Sequence, residues 1–327
     1  MENTASVPGA SGNSGRKLPV VWPELNFRDL KETLFTVQLW AQIVGKIRLV
    51  NTPWINHGWH VALYVSSRGL STGIIPYENG SFQIDFDFID HQLHISASDG
   101  GVKRMKLEPG TVAAFYRQIF ALLTEMGIEV EIYAKPNELA EAVPFAEDEA
   151  YRDYDGIQIH TYWLALLRIN AVFTRFRAGF NGKCSPVHLF WGGFDLAVSR
   201  FSGRRAPLHQ GSMPNMPGRV MQEAYSHEVA SAGFWPGNDA YPFPAFYAYC
   251  YPAQPGYGGQ PVEPQQAFYS EEMGEFLLNY DAVQQSGDPG GTLLKFLEST
   301  YEAARVTGDW DASLSCDLTD FEKRPAI

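Results

Sequence analysis

The chain has 327 residues, 45% of them hydrophobic and 19% charged, which is enough apolar material for one large folded domain or two smaller ones. A net charge of -12 at pH 7, without a lysine- or arginine-rich run, argues against surfaces that bind nucleic acid or anionic membranes. No apolar run reaches the roughly 18 residues that a membrane-spanning helix needs. Three widely spaced cysteines argue against a disulfide framework, so we expect a soluble cytoplasmic protein.

The first half of the chain alternates between helical and strand patterns. Apolar residues at helical spacing in 28–46 predict a helix, with Asn26 as its N-cap. Strict alternation in 81–96 is typical of an antiparallel sheet with one packed face. The remaining predicted elements are strands over 59–67, 102–108 and 130–134 and a helix over 111–126.

The second half follows a similar order. A helix over 155–178 is apolar almost all round and should be central. Asp288 and Pro289 are a good N-terminus for a last helix over 290–306. Between them we predict strands over 188–201, 223–235 and 243–252 and a helix over 271–283.

These patterns predict an α+β fold of antiparallel sheets covered by helices, with two similar helix–strands–helix lobes. If residues 25–135 and 150–306 are related by an internal duplication, His60 aligns with His188 and His91 aligns with His227. The predicted organisation is a flexible tail over 1–17, a first lobe over 18–140, a second lobe over 141–312 that carries the site, and a C-terminal tail over 313–327.

The segment HLFWGGFDLAVSRF contains the first candidate catalytic pair, His188 and Asp195. The apolar alternation stays in register only if Gly192-Gly193 forms a β-bulge, which places both residues on one polar face. Asp195 would then orient the imidazole of His188 as a general base or a metal ligand. The alternative is a buried histidine–aspartate pair that only stabilises the sheet.

The segment EAYSHEVASAGFW adds His227, which we expect to point inward, and Glu228, which we expect to be a supporting or surface group. If the two strands pair, His188 and His227 lie within ligand distance of each other. Two histidines with one or two carboxylates suit Zn, Mn, Fe or Ni. We therefore treat His227 as a second base or ligand, although the sequence has no HExxH motif.

Other residues of this half are candidates for binding a substrate. Arg200 and Arg204 would hold an anionic group, unless they pair with surface acids. Trp191, Trp235 and Tyr249 would form aromatic walls, unless they are ordinary packing residues. A small-molecule ligand is the expected partner.

The first half holds secondary candidates. His60 and His91 would meet across the sheet, and Asp85 and Asp87 share one strand face. Two close carboxyls can raise the pKa of one of them and create a general acid. A solvated sheet face is the simpler interpretation of the two aspartates.

Six segments together resemble a bacterial family known only as domain of unknown function 5996. They are GKIRL, NHGWHVALYV, IDFDFIDH, GKCSPVHLFWGGFDLAVSRFSGR, EAYSHEVASAGFWPG and FYAYCYP. The resemblance covers nearly everything from residue 18 to residue 310, with Gly193 where that family often has Ser. It implies a whole-chain domain and no particular chemistry.

Two functional hypotheses therefore rest on the residues alone. The first is an enzyme, a hydrolase, lyase or metal-dependent oxidoreductase, that acts on a small polar or anionic molecule through His188, Asp195 and His227. The second is a protein that binds a small molecule in an aromatic-lined pocket without chemistry. The proline-rich segment 206–218 and the aromatic segment 234–251 would form the mouth of either site.

Overall fold

A computed structural model describes residues 22–78 and 80–316 of the chain. The predicted tail over 1–17 and the predicted C-terminal tail beyond residue 316 lie outside the described residues. Within them, no helix is long and apolar enough to cross a membrane.

The fold is α+β, as the sequence predicts, with two large antiparallel sheets. The strands are β1 (Tyr64–Val65), β2 (Gly69–Ser71), β3 (Ile75–Tyr77), β4 (Gly80–Asp87), β5 (Gln92–Ala97), β6 (Val102–Lys106), β7 (Gly110–Thr111), β8 (Tyr151–Arg152), β9 (His188–Phe190), β10 (Asp195–Arg205), β11 (His227–Trp235), β12 (Ala245–Tyr251), β13 (Phe268–Ser270) and β14 (Glu275–Asn279). The first sheet has the strand order β1-β2-β4-β5-β6, with β3 beside β4. The second has the order β13-β14-β12-β11-β10-β9, and β7 and β8 pair separately.

Four long helices lie where the apolar periodicity predicts them. The α-helices of the described residues are α1 (Phe27–Asn51), α2 (Val112–Glu125), α3 (Gly156–Ala178), α4 (Gly218–Ala224), α5 (Tyr280–Gln284) and α6 (Pro289–Thr307). The side chain of Asn26 accepts a hydrogen bond from the Arg28 amide, and that of Asp288 accepts one from the Gly291 amide. Both predicted N-caps therefore satisfy amides that the first helical turn leaves unpaired.

Helices α3 and α6 cover the inner face of the second sheet, where Leu196, Phe234 and Phe246 are completely buried. Leu63 and Leu189 exchange backbone hydrogen bonds of 2.8 and 2.9 Å, which join the two sheets edge to edge. Buried residues of both sheets consequently form one continuous hydrophobic core.

The predicted helix over 271–283 is wrong for most of its length. Strands β13 and β14 form a hairpin there, and only Tyr280–Gln284 is helical. Gly274 ends the hairpin turn with φ of +72°, a left-handed conformation that glycine adopts without steric cost. Residues 130–134, which are predicted to be a strand, have no regular structure. Within the strand predicted over 59–67, only the two residues of β1 are in a strand.

Residues 191–194 form a hairpin turn between β9 and β10 rather than the predicted bulge. Phe190 pairs with Asp195, and His188 pairs with Ala197. His188 and Asp195 therefore share a nominal sheet face, but Phe190 occupies the position opposite Asp195.

The proposed internal duplication is not confirmed. Each half has a helix, an antiparallel sheet and another helix, yet the aligned histidines occupy different local structures. His188 and His227 begin strands, whereas His60 and His91 lie in turns.

Candidate functional site

The outer face of the second sheet, opposite α3 and α6, carries a row of polar and aromatic side chains. Register places Ala197 beside Gly233 and Gly233 beside Tyr247, so Tyr247 lies on the same face as Asp195. The hydroxyl of Tyr247 donates a hydrogen bond to the Asp195 carboxylate. A Cβ at Gly233 would lie 2.3 Å from the Tyr247 ring, so the glycine makes room for this contact.

A pocket of about 230 Å³ opens on this face. We call it the acidic pocket. Its walls are Asp195, Trp235, Ala245, Tyr247, Tyr249, Met273, Glu275 and Leu277. Strands β10, β11, β12 and β14 each supply part of the wall, so the sheet register fixes the relative positions of the lining side chains.

Three carboxyl groups gather at the acidic pocket. Burial and the neighbouring charge of Asp195 raise the pKa of Glu275 to about 7. The same two causes raise the pKa of Glu138, behind the pocket wall, to about 7. Burial also raises the pKa of Asp195, although the hydrogen bond from Tyr247 opposes this effect.

Glu138 reaches the site from the loop after α2 because Gly192 and Gly193 leave space for it. A Cβ at Gly192 would lie 1.9 Å from Glu138 Oε1, inside the carboxylate itself. A Cβ at Gly193 would lie 3.1 Å from Asp195 Oδ1 and 3.6 Å from Glu138 Oε2, so both acids border the same small volume. The Glu138 amide donates to the Pro214 carbonyl at 2.8 Å, which ties the proline-rich segment to this loop.

Tyrosines extend the hydrogen-bonded network away from the carboxyls. The hydroxyls of Tyr249 and Tyr225 lie 2.9 Å apart, and the rings of Tyr247 and Tyr249 stack with centroids 6.0 Å apart. Burial raises the pKa of Tyr247 and of Tyr249 well above the usual value. Both phenols therefore keep their protons at neutral pH, and that of Tyr247 is donated to Asp195.

The structure brings three of the sequence-predicted residues together in the acidic pocket, namely Asp195, Trp235 and Tyr249. His188 is not in the lining. It is buried in β9, its Nδ1 donates to the Pro186 carbonyl at 2.8 Å, and its Nε2 has no partner among the described residues. Burial lowers the pKa of His188 to about 4, so the ring is neutral.

His227 lies far along the sheet from His188. It pairs with Arg205, and β10 separates β9 from β11, so the predicted meeting of the two histidines does not occur. The neighbouring Glu228 accepts hydrogen bonds from Ser202 and Arg204. In the part of the chain that the structure describes, no group of three or more His, Cys, Asp or Glu side chains could hold a metal ion.

The two predicted anion-binding arginines have other contacts. Arg200 is completely buried on the inner face, where its guanidinium lies 3.5 Å from the Phe176 ring centroid and contacts Glu298 at 3.2 Å. Arg204 pairs with Glu228 at 2.8 Å. Neither arginine faces the acidic pocket. Alternation along β10 sends Arg200 to the opposite side from Asp195, and Arg204, in the irregular end of the strand, also donates to the Asp309 carbonyl.

Trp191 also has a packing role rather than a place in the pocket. Its ring is buried in the turn before β10, and its indole N–H donates to the Val61 carbonyl at 2.9 Å. A Cβ at Gly45 of α1 would lie 2.1 Å from the Trp191 ring, so the indole lies directly against the helix backbone.

The secondary candidates of the first half do not form pairs. His60 contacts Trp54, whereas the Nδ1 atom of His91 lies 2.9 Å from the Tyr154 hydroxyl. Asp87 is buried and binds Arg68 at 2.6 Å.

Asp85 accepts hydrogen bonds from Gln83, so the two aspartates on this strand face have separate partners. Burial by itself would raise the pKa of Asp87. The hydrogen bonds from Arg68 and two backbone amides have the larger combined effect, so the pKa of Asp87 is lowered. Asp87 is therefore an ionised structural carboxylate.

Sequence reasoning missed Glu138 and Glu275. Glu275 was hidden in a segment interpreted as helix, although EEMG before EFLL is also a four-residue hairpin turn with a terminal glycine. Glu138 lies in a loop without periodicity, and only contacts with distant residues bring it to Asp195.

The chain belongs to the family of unknown function DUF5996, whose family model matches residues 22–316. No curated protein and no solved structure matches the chain.

Proposed function

We propose that the chain binds a small organic molecule with a positively charged amino group in the acidic pocket. The observation that carries the proposal is the convergence of Asp195, Glu275 and Glu138 without a cationic partner. Among the described residues, no lysine, arginine or histidine forms an ion pair with any of these three acids.

Partly buried carboxylates without an ion-pair partner are costly, because each loses hydration without gaining an opposite charge. The raised pKa values of Glu138 and Glu275 reflect this cost. An ammonium group next to Asp195 supplies the missing charge and favours the ionised form of both glutamates. The pocket is thus electrostatically complementary to a cation.

The aromatic walls suit the same class of ligand. Trp235, Tyr247 and Tyr249 line the pocket, and the faces of such rings attract cations by about 0.5–2 kcal/mol each. Met273 and Leu277 add apolar surface for a hydrocarbon part of the ligand. A cavity of about 150 Å³ is enough to bind benzene. The acidic pocket is larger, at about 230 Å³, so a single ring with an aminomethyl group is a suitable probe.

Isothermal titration calorimetry with benzylammonium and with its neutral analogue benzyl alcohol tests the proposal. We expect benzylammonium to bind at least tenfold more tightly at pH 7.4, and Glu275→Gln to remove most of the difference. Glu272→Gln is the matched control, because Glu272 is exposed on the same hairpin and outside the pocket. Equal affinity for the two probes, or tighter binding of benzoate, would refute the charge argument.

Proton release gives a second and independent readout. A bound cation lowers the pKa of Glu138 and Glu275 from about 7, so binding at pH 7 should release protons. Titrations in buffers of different ionisation enthalpy measure the number of protons released. Binding of benzylammonium without proton release would place the cation away from these carboxyls.

A second candidate function is an enzyme that transfers a proton on the bound ligand. A carboxyl with a pKa of about 7 is an efficient general acid or base near neutral pH, and Glu275 is such a group on the pocket wall. Incubation of wild type, Glu275→Gln and Asp195→Asn with a small-molecule extract, followed by mass spectrometry, tests it. If the chain is a catalyst, only wild type should form new products. Identical mixtures from all three proteins would mean that the chain binds the ligand without catalysis.

We also propose a cytoplasmic location. The support is the chemistry of the cysteines, since Cys184, Cys250 and Cys316 are all free thiols.

A further inference from the structure

We propose that Lys183 is a reactive amine that forms an imine with a small aldehyde or ketone, with His57 as its proton acceptor. The site lies at the other end of the outer sheet face from the acidic pocket. The proposal is independent of the proposed function.

The tautomer of His57 makes it an acceptor for Lys183. His57 Nδ1 lies 3.0 Å from the Ala224 carbonyl oxygen, which can only accept, so Nδ1 carries the hydrogen. The lone pair of Nε2 then faces the Lys183 Nζ atom at 2.6 Å. Burial lowers the pKa of His57, which favours this neutral ring.

The loop that carries His57 holds the ring in place. His57 has φ of 60°, the left-handed region that non-glycine residues rarely adopt, and Gly58 follows with φ of 75°. Such strained backbone is concentrated at functional sites. The ring is 4% exposed and packs 4.5 Å from the Phe201 ring centroid.

Lys183 lies beside two aromatic rings, whose faces attract its ammonium form, while its burial acts against that form. Its Nζ lies 5.6 Å from the Trp59 ring centroid and 5.2 Å from that of Phe201, and it has no carboxylate ion pair among the described residues. Burial lowers the pKa of Lys183, and the carboxylate of Glu223 partly opposes this effect. Lys183 as a residue is only partly buried, so it keeps some contact with solvent.

The remaining charged groups around the pair favour an anionic carbonyl compound. His227 lies with its ring centroid 5.8 Å from that of His57, and Arg205 is its partner across the strands. Both side chains can donate hydrogen bonds to a carboxylate, while the carboxylate of Glu223 lies beside the His57 backbone amide. A 2-oxo acid therefore suits the site better than a neutral ketone.

The chemistry balances without a further reactant. His57 Nε2 takes a proton from the Lys183 ammonium, and the free amine forms a carbon–nitrogen bond with the carbonyl carbon. The attacking nitrogen passes one of its protons to the carbonyl oxygen, which becomes a hydroxyl. This hydroxyl takes the proton back from His57 and leaves as water. The products are the protonated imine on Lys183 and one water molecule.

Reductive trapping on the full-length protein tests the inference. Pyruvate and cyanoborohydride at pH 7.4, followed by peptide mass mapping, should label Lys183 at least tenfold more than Lys31 or Lys103. Those two lysines have similarly exposed side chains but bind carboxylates. Label spread evenly over all lysines would overturn the proposal.

Two further measurements separate chemistry from folding. His57→Gln should lower labelling of Lys183 at least tenfold and leave Lys103 unchanged, with circular dichroism as the check on folding. In wild type, labelling of Lys183 should rise at a lower pH than labelling of Lys103. Superimposable pH profiles for the two lysines would overturn the proposal even if the variant fails to fold.

Discussion

The electrostatic cost of the acidic pocket can be measured directly as stability. Glu275→Gln keeps the shape of the side chain and removes its charge. We expect the variant to be more stable than wild type at pH 8, where the wild-type carboxyl is ionised next to Asp195. A stabilising substitution in a pocket wall is unusual, because most substitutions destabilise a protein.

The size and the sign of the effect follow from the pKa of Glu275, which is about 7 when folded and 4.5 as an ordinary carboxyl. Each pKa unit corresponds to about 1.4 kcal/mol, so the full effect at pH 8 is about 3 kcal/mol. Partial exposure reduces it, and we expect about 1–3 kcal/mol. Between pH 4.5 and 7 the folded state binds more protons than the unfolded state, so wild-type stability falls as pH rises.

Urea unfolding of both proteins at pH 5 and pH 8 is the assay. The gain in unfolding free energy for Glu275→Gln should shrink below about 1 kcal/mol at pH 5, where the folded wild-type carboxyl is protonated. The exposed control Glu272→Gln should change stability by less than about 0.5 kcal/mol at either pH. A gain that does not depend on pH, or a loss at pH 8, would show that Glu275 has a compensating partner.

Three other substitutions test different parts of the description. The pKa of His188, about 4, means that wild type loses stability as pH falls from 6.5 to 4, so urea unfolding of His188→Gln should depend less on pH over that range. Gly233→Ala should cost about 1–3 kcal/mol in thermal unfolding, because its Cβ would overlap the Tyr247 ring, and an unchanged melting temperature would contradict this contact. Arg200→Ala should cost about 2–5 kcal/mol, since it leaves a cavity where the buried guanidinium stacks on Phe176. Arg200 variants with wild-type urea midpoints would show that this contact contributes little.

The sequence predicts the four long helices and the sheet faces well, because both depend on local periodicity. Asp195, Trp235 and Tyr249 are predicted as site residues from three separate strands, and only the sheet register shows that they line one pocket. Alternation also cannot distinguish a bulge at Gly192-Gly193 from a four-residue hairpin turn, since both keep His188 and Asp195 on the same nominal side. The hairpin places Phe190 between them, which is why the predicted pair does not form.

The residues that sequence reasoning missed depend on distant contacts. Glu138 is brought to Asp195 by the hydrogen bond of its amide to Pro214 and by the two glycines of the turn. No local pattern encodes such contacts. The Lys183–His57 pair is similar, because it joins a loop after α1 to the segment before β9.

Strand β10 sets a fixed distance between the two sites of the outer face. Asp195, its first residue, borders the acidic pocket, and Phe201 packs on His57 beside Lys183. An extended chain rises about 3.4 Å per residue, so the two positions are about 20 Å apart. A paired strand inside a sheet hardly stretches or shortens, and this separation therefore stays constant when either site is occupied. A single molecule the size of benzylammonium or pyruvate is too short to span both sites. Two such molecules can therefore be bound at the same time, one in each site, without touching.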